Sequence, residues 1–232
     1  MEVRPMRIKR YAALFLAAAL ALSLAGCGMN EDKNKDKDGG MTIAPAQLTG
    51  EEQKLADLLA LGMESHHIFS FQAKGAKSLH FNVYELVDGE WSPLPGGGGG
   101  GLSEESGRIA LTFGKMTEGV RLAYQTEQDN ISTSFQITPA DDVSNMAFAT
   151  STLDTAPTVI ELDQEIPLVI QIATSQNELR MYKVDYFGMP RELAKTGYEH
   201  IYAITVTFSV QDFGTAPSAP SAPPSAEPSP AE

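Results

Sequence analysis

Residues 78–91 read SLHFNVYELVDGEW. Leu79, Phe81 and Val83 alternate there with His80, Asn82 and Tyr84, the period of a strand that sends one set of side chains into a core and the other away from it. Asp88-Gly89 follows at the spacing of a two-residue hairpin turn, in which both central positions need positive φ. Such a turn pairs Val87 with Glu90 and Leu86 with Trp91. The stretch therefore predicts a β-hairpin with one wholly apolar face.

The same period recurs along the chain, in Ile109-Leu111-Phe113, Val120-Leu122-Tyr124, Ile131-Thr133-Phe135-Ile137, Ile166-Leu168-Ile170-Ile172, Tyr182-Val184-Tyr186 and Tyr202-Ile204-Val206-Phe208. Turn residues separate the runs: Thr117-Glu118-Gly119, Gln128-Asp129-Asn130, Ser175-Gln176-Asn177 and Gly188-Met189-Pro190. Short strands with no long helix between them predict a mainly β fold. The expectation is an antiparallel β-sandwich of about 8–10 strands, with a jelly roll as one option, over residues 48–214. A short helix opens the domain. Thr49 and Glu52 have capping-box spacing, and Leu55, Leu58, Leu59 and Met63 recur on one helical face up to Gly62. That face is expected to pack on the sheet or plug its open end; the alternative is a partner-binding helix. A helical turn is expected at Pro190 to Lys195, where proline suits a first helical position. Gly96 to Gly101 lacks a following Lys-Ser/Thr and any strand-to-helix context, and reads as a floppy hairpin connection.

The two ends read differently. Arg4, Arg7, Lys9 and Arg10 precede the apolar run Tyr11 to Leu22, which Ser23-Leu24-Ala25-Gly26-Cys27 closes. A basic flank, an apolar helix and small residues at its end make a secretory signal over residues 1–26. Leu24-Ala25-Gly26-Cys27 resembles the lipobox of bacterial lipoproteins. The resemblance covers the first 27 residues and implies a diacylglyceryl thioether on Cys27, with cleavage before it. It also implies a protein anchored by that lipid in the cell membrane, on its extracytoplasmic face. Residues 27–47 are charged and mixed in sign, and read as the lipidated Cys and a disordered tether. About 13 residues of such coil reach about 20 Å. Residues 215–232, TAPSAPSAPPSAEPSPAE, hold nothing that could seed a core and read as a disordered, partly polyproline-II tail.

Composition narrows the partners. The chain has 30 acidic and 17 basic residues, a net charge of −13, and one Cys. Residues 51–214 hold 23 acidic and 10 basic side chains, so the domain carries that charge. A nucleic-acid partner is excluded, because counterion release needs a clustered basic surface. A single Cys cannot form a disulfide within the chain. Candidate chemistry is sparse. No Gly-x-Ser-x-Gly elbow is present. His66-His67 points to opposite faces of a strand, and His80 and His200 lie far off in sequence. Asp141-Asp142, Asp154, Glu161, Asp163 and Glu165 form an acidic stretch without a Ca²⁺-ligand ladder, read as solvated loop charge, with Ca²⁺ binding and glycoside hydrolysis by paired carboxylates as the alternatives. No cofactor, metal or catalytic residue is assigned.

Three function classes remain: a non-catalytic binding module for a glycan or an envelope protein, a structural or assembly lipoprotein of the envelope, and an enzyme whose site forms only in the fold. The sharpest site expectation concerns Tyr84 and Trp91, which share the face opposite Leu79, Phe81 and Val83. They form either an exposed aromatic platform for a sugar ring or peptide anchor, or ordinary core beneath a covering element.

Overall fold

A computed structural model describes residues 40–59 and 65–214. The expected signal segment, Cys27 and the tail lie outside these residues, as does the tether before residue 40. The fold is an antiparallel two-sheet sandwich. The first sheet runs β10 (Thr158–Val159), β1 (Thr42–Pro45), β2 (Ser65–Gln72), β6 (Ser106–Phe113), β7 (Val120–Gln125), β8 (Asn130–Phe135). The second runs β4 (Glu90–Pro93), β3 (Ser78–Val87), β12 (His200–Ser209), β11 (Glu165–Thr174), β9 (Ala147–Thr152), and β5 (Gly98–Gly101) shares the β4 edge of β3. Among the described residues no helix is long and apolar enough to cross a membrane.

The hairpin of residues 78–91 forms in the expected register. Leu86 pairs with Trp91 and Val87 with Glu90, with φ of 51° at Asp88 and 80° at Gly89. Leu79, Phe81 and Val83 are buried and meet Phe69, Ile109 and Leu122 from the first sheet, along with Ile204 and Phe208. Burial of this kind, at roughly 25 cal/mol per Å² of apolar surface, is what holds the two layers together.

Four expectations about strands and their connections need correction. Residues 42–45, assigned to the tether, form β1 between β2 and β10, with Ile43 fully buried; a four-residue strand containing a proline carries too little periodicity to be seen alone. The Tyr182-Val184-Tyr186 run is a 3₁₀ helix (Val184–Gly188) rather than a strand. It is followed by α2 (Pro190–Ala194), close to where a helical turn was expected. In β11 the alternation breaks at a bulge between Pro167 and Val169, where proline lacks the N–H a ladder needs. Ile166 and Leu168 therefore face the inter-sheet core while Ile170 and Ile172 face the opposite side.

The glycine run is the fourth. It is an ordered edge strand, with Gly98–Gly101 paired to Ser78–Phe81. A Cβ on Gly97 would lie 2.1 Å from the Phe81 carbonyl oxygen, and one on Gly100 would lie 2.1 Å from the Tyr124 hydroxyl. At Gly97, Gly99 and Gly100 the chain is squeezed against its neighbour strand or the first sheet, and only glycine fits there.

The N-terminal helix α1 (Gly50–Leu59) has the expected capping box: Glu52 Oε2 accepts from Thr49 N at 2.8 Å, and Thr49 Oγ1 accepts from Glu52 N at 3.3 Å. Its packing is inverted. Glu52 pairs with Arg108 at 2.7 Å and Asp57 lies 3.7 Å from His66, whereas Leu55 and Leu58 are 57% and 59% exposed.

Candidate binding face on the second sheet

The outer face of the second sheet has two halves. At the β4 end, residues 175–199 fold back from β11 before the chain re-enters as β12. Leu193 of α2 is fully buried there with Ile170, Ile172, Ile201 and Ala203. The Phe187 ring stacks on Trp91 at 5.0 Å and 20°, and tilts against Tyr84 at 5.7 Å. Trp91 Nε1 donates to the Phe187 carbonyl at 2.8 Å. Tyr84 is only 7% exposed. The structure thus places the Phe187 ring of the return segment against both expected platform residues: Tyr84 is buried, and Trp91 stays half-buried with its ring stacked on Phe187.

At the β5 end the same face is polar and half-buried. Strand register sets Glu165, Thr207, His80 and Gly99 in one row across β11, β12, β3 and β5, with Pro167, Thr205 and Asn82 in the next. Neighbouring strands lie about 4.8 Å apart. Glu165 Oε1 accepts three hydrogen bonds, from Asn82 Nδ2 at 2.6 Å, the Tyr84 hydroxyl at 2.6 Å and Thr205 Oγ1 at 3.2 Å. Burial, and then the bond to Glu165, push the Tyr84 phenol well above its ordinary pKa, so it stays a donor. Glu165 Oε2, Asn82 Oδ1 and Thr207 Oγ1 have no hydrogen-bond partner among the described residues.

His80 closes the row. The Ser78 hydroxyl donates to the Gln211 carbonyl at 2.8 Å, so toward His80 Nε2, 3.1 Å away, it can only accept. Nε2 therefore carries the ring proton and Nδ1 is a bare acceptor. Burial lowers the imidazole pKa and so favours the neutral ring. By distance this is a Ser–His pair, but the proton runs the wrong way to activate a nucleophile, and Ser78 is fully buried. Phe213 stacks on His80 at 5.3 Å and 25°, and is half-exposed. Gly99 beneath it contributes no side chain to the surface.

The other candidates scatter. His66 meets α1; His67 turns inward against Phe113, its pKa lowered by burial and then by His66. His200 Nδ1 bonds Glu85 at 2.8 Å, with its Nε2 buried and unpartnered. Burial, and then the Glu85 carboxylate beside it, raise the Tyr202 phenol's pKa, yet its hydroxyl has no well-aligned hydrogen bond. Asp142 caps Ser144 N, Asp154 pairs with Lys183, and Asp163 accepts from Ser209. Among the described residues no three His, Cys, Asp or Glu side chains converge to hold a metal ion. Sequence reasoning reached Glu165 only as one of a run of acids. It missed Asn82, Thr205, Thr207 and Phe213 as site residues, and the only available signal was their outward register on adjacent strands.

The chain matches no protein-family model, no curated protein and no solved structure.

Proposed function

We propose that the chain is a lipid-anchored, extracytoplasmic binding module that acts without catalysis, and that its ligand face is the open half of the second sheet. The observation that carries the binding reading is the Glu165 carboxylate. Three side chains from β3 and β12 fix one oxygen, while the other has no partner among the described residues. A polar group held this way loses little freedom when a ligand arrives. The anchoring part rests on the basic flank, the apolar run and Leu24-Ala25-Gly26-Cys27. Two acyl chains at ~0.8 kcal/mol per buried methylene would hold it stably at the membrane.

Two experiments test this. Cells fed a fatty-acid analogue should label the wild-type chain and not Cys27→Ala; equal label removes the anchor. The full chain should sediment with insoluble cell-wall glycan, and Asn82→Ala should sediment less. Equal sedimentation takes the open half out of the reading.

The structural or assembly role is the second reading, favoured by α1 alone, whose Leu55 and Leu58 face outward. A photocrosslinker at Leu58 that captures an envelope protein in cells would move the function there.

A further inference from the structure

Resting on that reading of the open half, the geometry points to an amine-bearing glycan, a polymer of 2-amino-2-deoxyhexose, as the ligand class. Across the two rows, the side-chain acceptor atoms without a partner among the described residues are Glu165 Oε2, Asn82 Oδ1, His80 Nδ1 and Thr207 Oγ1. Three are acceptors only, and the fourth is a hydroxyl that both donates and accepts. A ligand seated here must supply several donors. No Lys or Arg occupies the strand positions of the two rows, and residues 51–214 carry the net charge of −13, so the field favours a cation.

The kind of cation follows from Glu165. One of its oxygens already takes three hydrogen bonds, which removes the two-oxygen fork that a guanidinium prefers. An ammonium, which needs only one oxygen, fits. A lysine side chain would satisfy that one spot and leave the acceptors on β3 unused. An aminohexose carries its ammonium on a ring with hydroxyl donors around it, and successive rings extend along the row. The half-exposed Phe213 ring, fixed on His80, offers an apolar surface for the C–H face of a sugar. A Cβ on Gly99 would stand 3.1 Å from the Phe213 ring, so the glycine is what lets that ring settle against β5.

The test is calorimetric titration of the detergent-solubilised full chain with glucosamine hexamer, N-acetylglucosamine hexamer, cellohexaose and a hexalysine peptide. The expected result is binding of the glucosamine hexamer at least roughly tenfold tighter than the other three, weakened roughly tenfold by Glu165→Gln. That substitution keeps an acceptor for Asn82 and Tyr84. Thr207→Val, which breaks no bond within the protein, should weaken it too, and Phe213→Ala should weaken all sugar binding. Equal binding of cellohexaose or of the N-acetylated hexamer overturns the amine assignment, and equal binding of hexalysine overturns the glycan. Absence of binding by all four overturns the proposal. In each case Asn82-dependent sedimentation with cell-wall glycan would leave the binding-face reading standing, and its loss would remove both.

Discussion

Two halves of one surface, the outer face of the second sheet, obey opposite rules. Near β4, Tyr84, Ile170 and Ile172 lie under Phe187 and Leu193. Two residues along β3, Asn82 is half-buried and spends its amide on a carboxylate. The strands are the same and the outward register is the same. The difference is set by a segment 90 and more residues away in sequence, which returns over one half and stops. Alternation decides which side chains leave the core. It does not decide whether another part of the chain then covers them.

The largest effect should come from lifting the cover. Leu193 is fully buried beneath α2, so Leu193→Ala should cost about 2–5 kcal/mol in denaturant unfolding. Hydrogen exchange should rise across residues 175–199 before it rises in β3 or β12. Trp91 emission should move to the red in the variant relative to the wild type, and iodide should quench it more. A stable variant with unchanged Trp91 emission would mean that the cover does not depend on this anchor, and the contrast between the halves would lose its cause.

A smaller effect tests the floor of the open half. Gly100 sits where a Cβ would meet the Tyr124 hydroxyl at 2.1 Å and Ile131 at 2.5 Å. Gly100→Ala should therefore cost about 1–3 kcal/mol through overpacking. Gly101 has its nearest neighbour atom at 3.9 Å, and Gly101→Ala should be close to neutral. Equal melting temperatures for the two variants would restore the floppy connection that six glycines suggest on paper.

The hairpin was legible because everything that defines it is local: the alternation of Leu79, Phe81 and Val83, and a turn that demands Asp88-Gly89. The capping box of α1 was legible for the same reason. The lid on Trp91 was not, since Tyr182-Val184-Tyr186 alternates like a strand while the chain takes a 3₁₀ turn there. Six glycines look alike in sequence whether they are mobile or squeezed, and only the Tyr124 and Phe81 oxygens tell them apart. The Glu165 site lay further out of reach. Its donors are 81 and 83 residues away on β3 and 40 away on β12, and the Pro167 bulge shifts the register between it and the rest of its strand. Phe213 stands four residues after the last strand ends, where no period extends to announce it.

The smallest effect concerns how the cover is fastened. The segment leaves β11 at Thr174 and returns at His200, and Glu199 ties the two ends. It accepts from Thr174 Oγ1 at 2.5 Å, from the Ser175 hydroxyl, and from Ser175 N at 3.2 Å. The Ser175 hydroxyl first, and then that of Thr174, hold the carboxyl at a pKa of about 2 against an ordinary 4.5. A carboxylate whose pKa is depressed in the folded state adds stability above its unfolded pKa and loses it as the pH falls through the folded one. The window thus runs from 4.5 down to about 2. Glu199 is exposed, so solvent screens most of the effect and the global melting temperature should barely move. The sensitive readout is amide exchange in residues 175–199, compared between wild type and Glu199→Gln. The variant should exchange faster at neutral pH, and the gap should narrow steadily as the pH drops below 4.5, while the Asn82–Glu165 half shows no difference between the two proteins. A gap that stays constant through the acid range would show that the carboxylate does not fasten the cover, and that Leu193 and Phe187 hold it by packing alone.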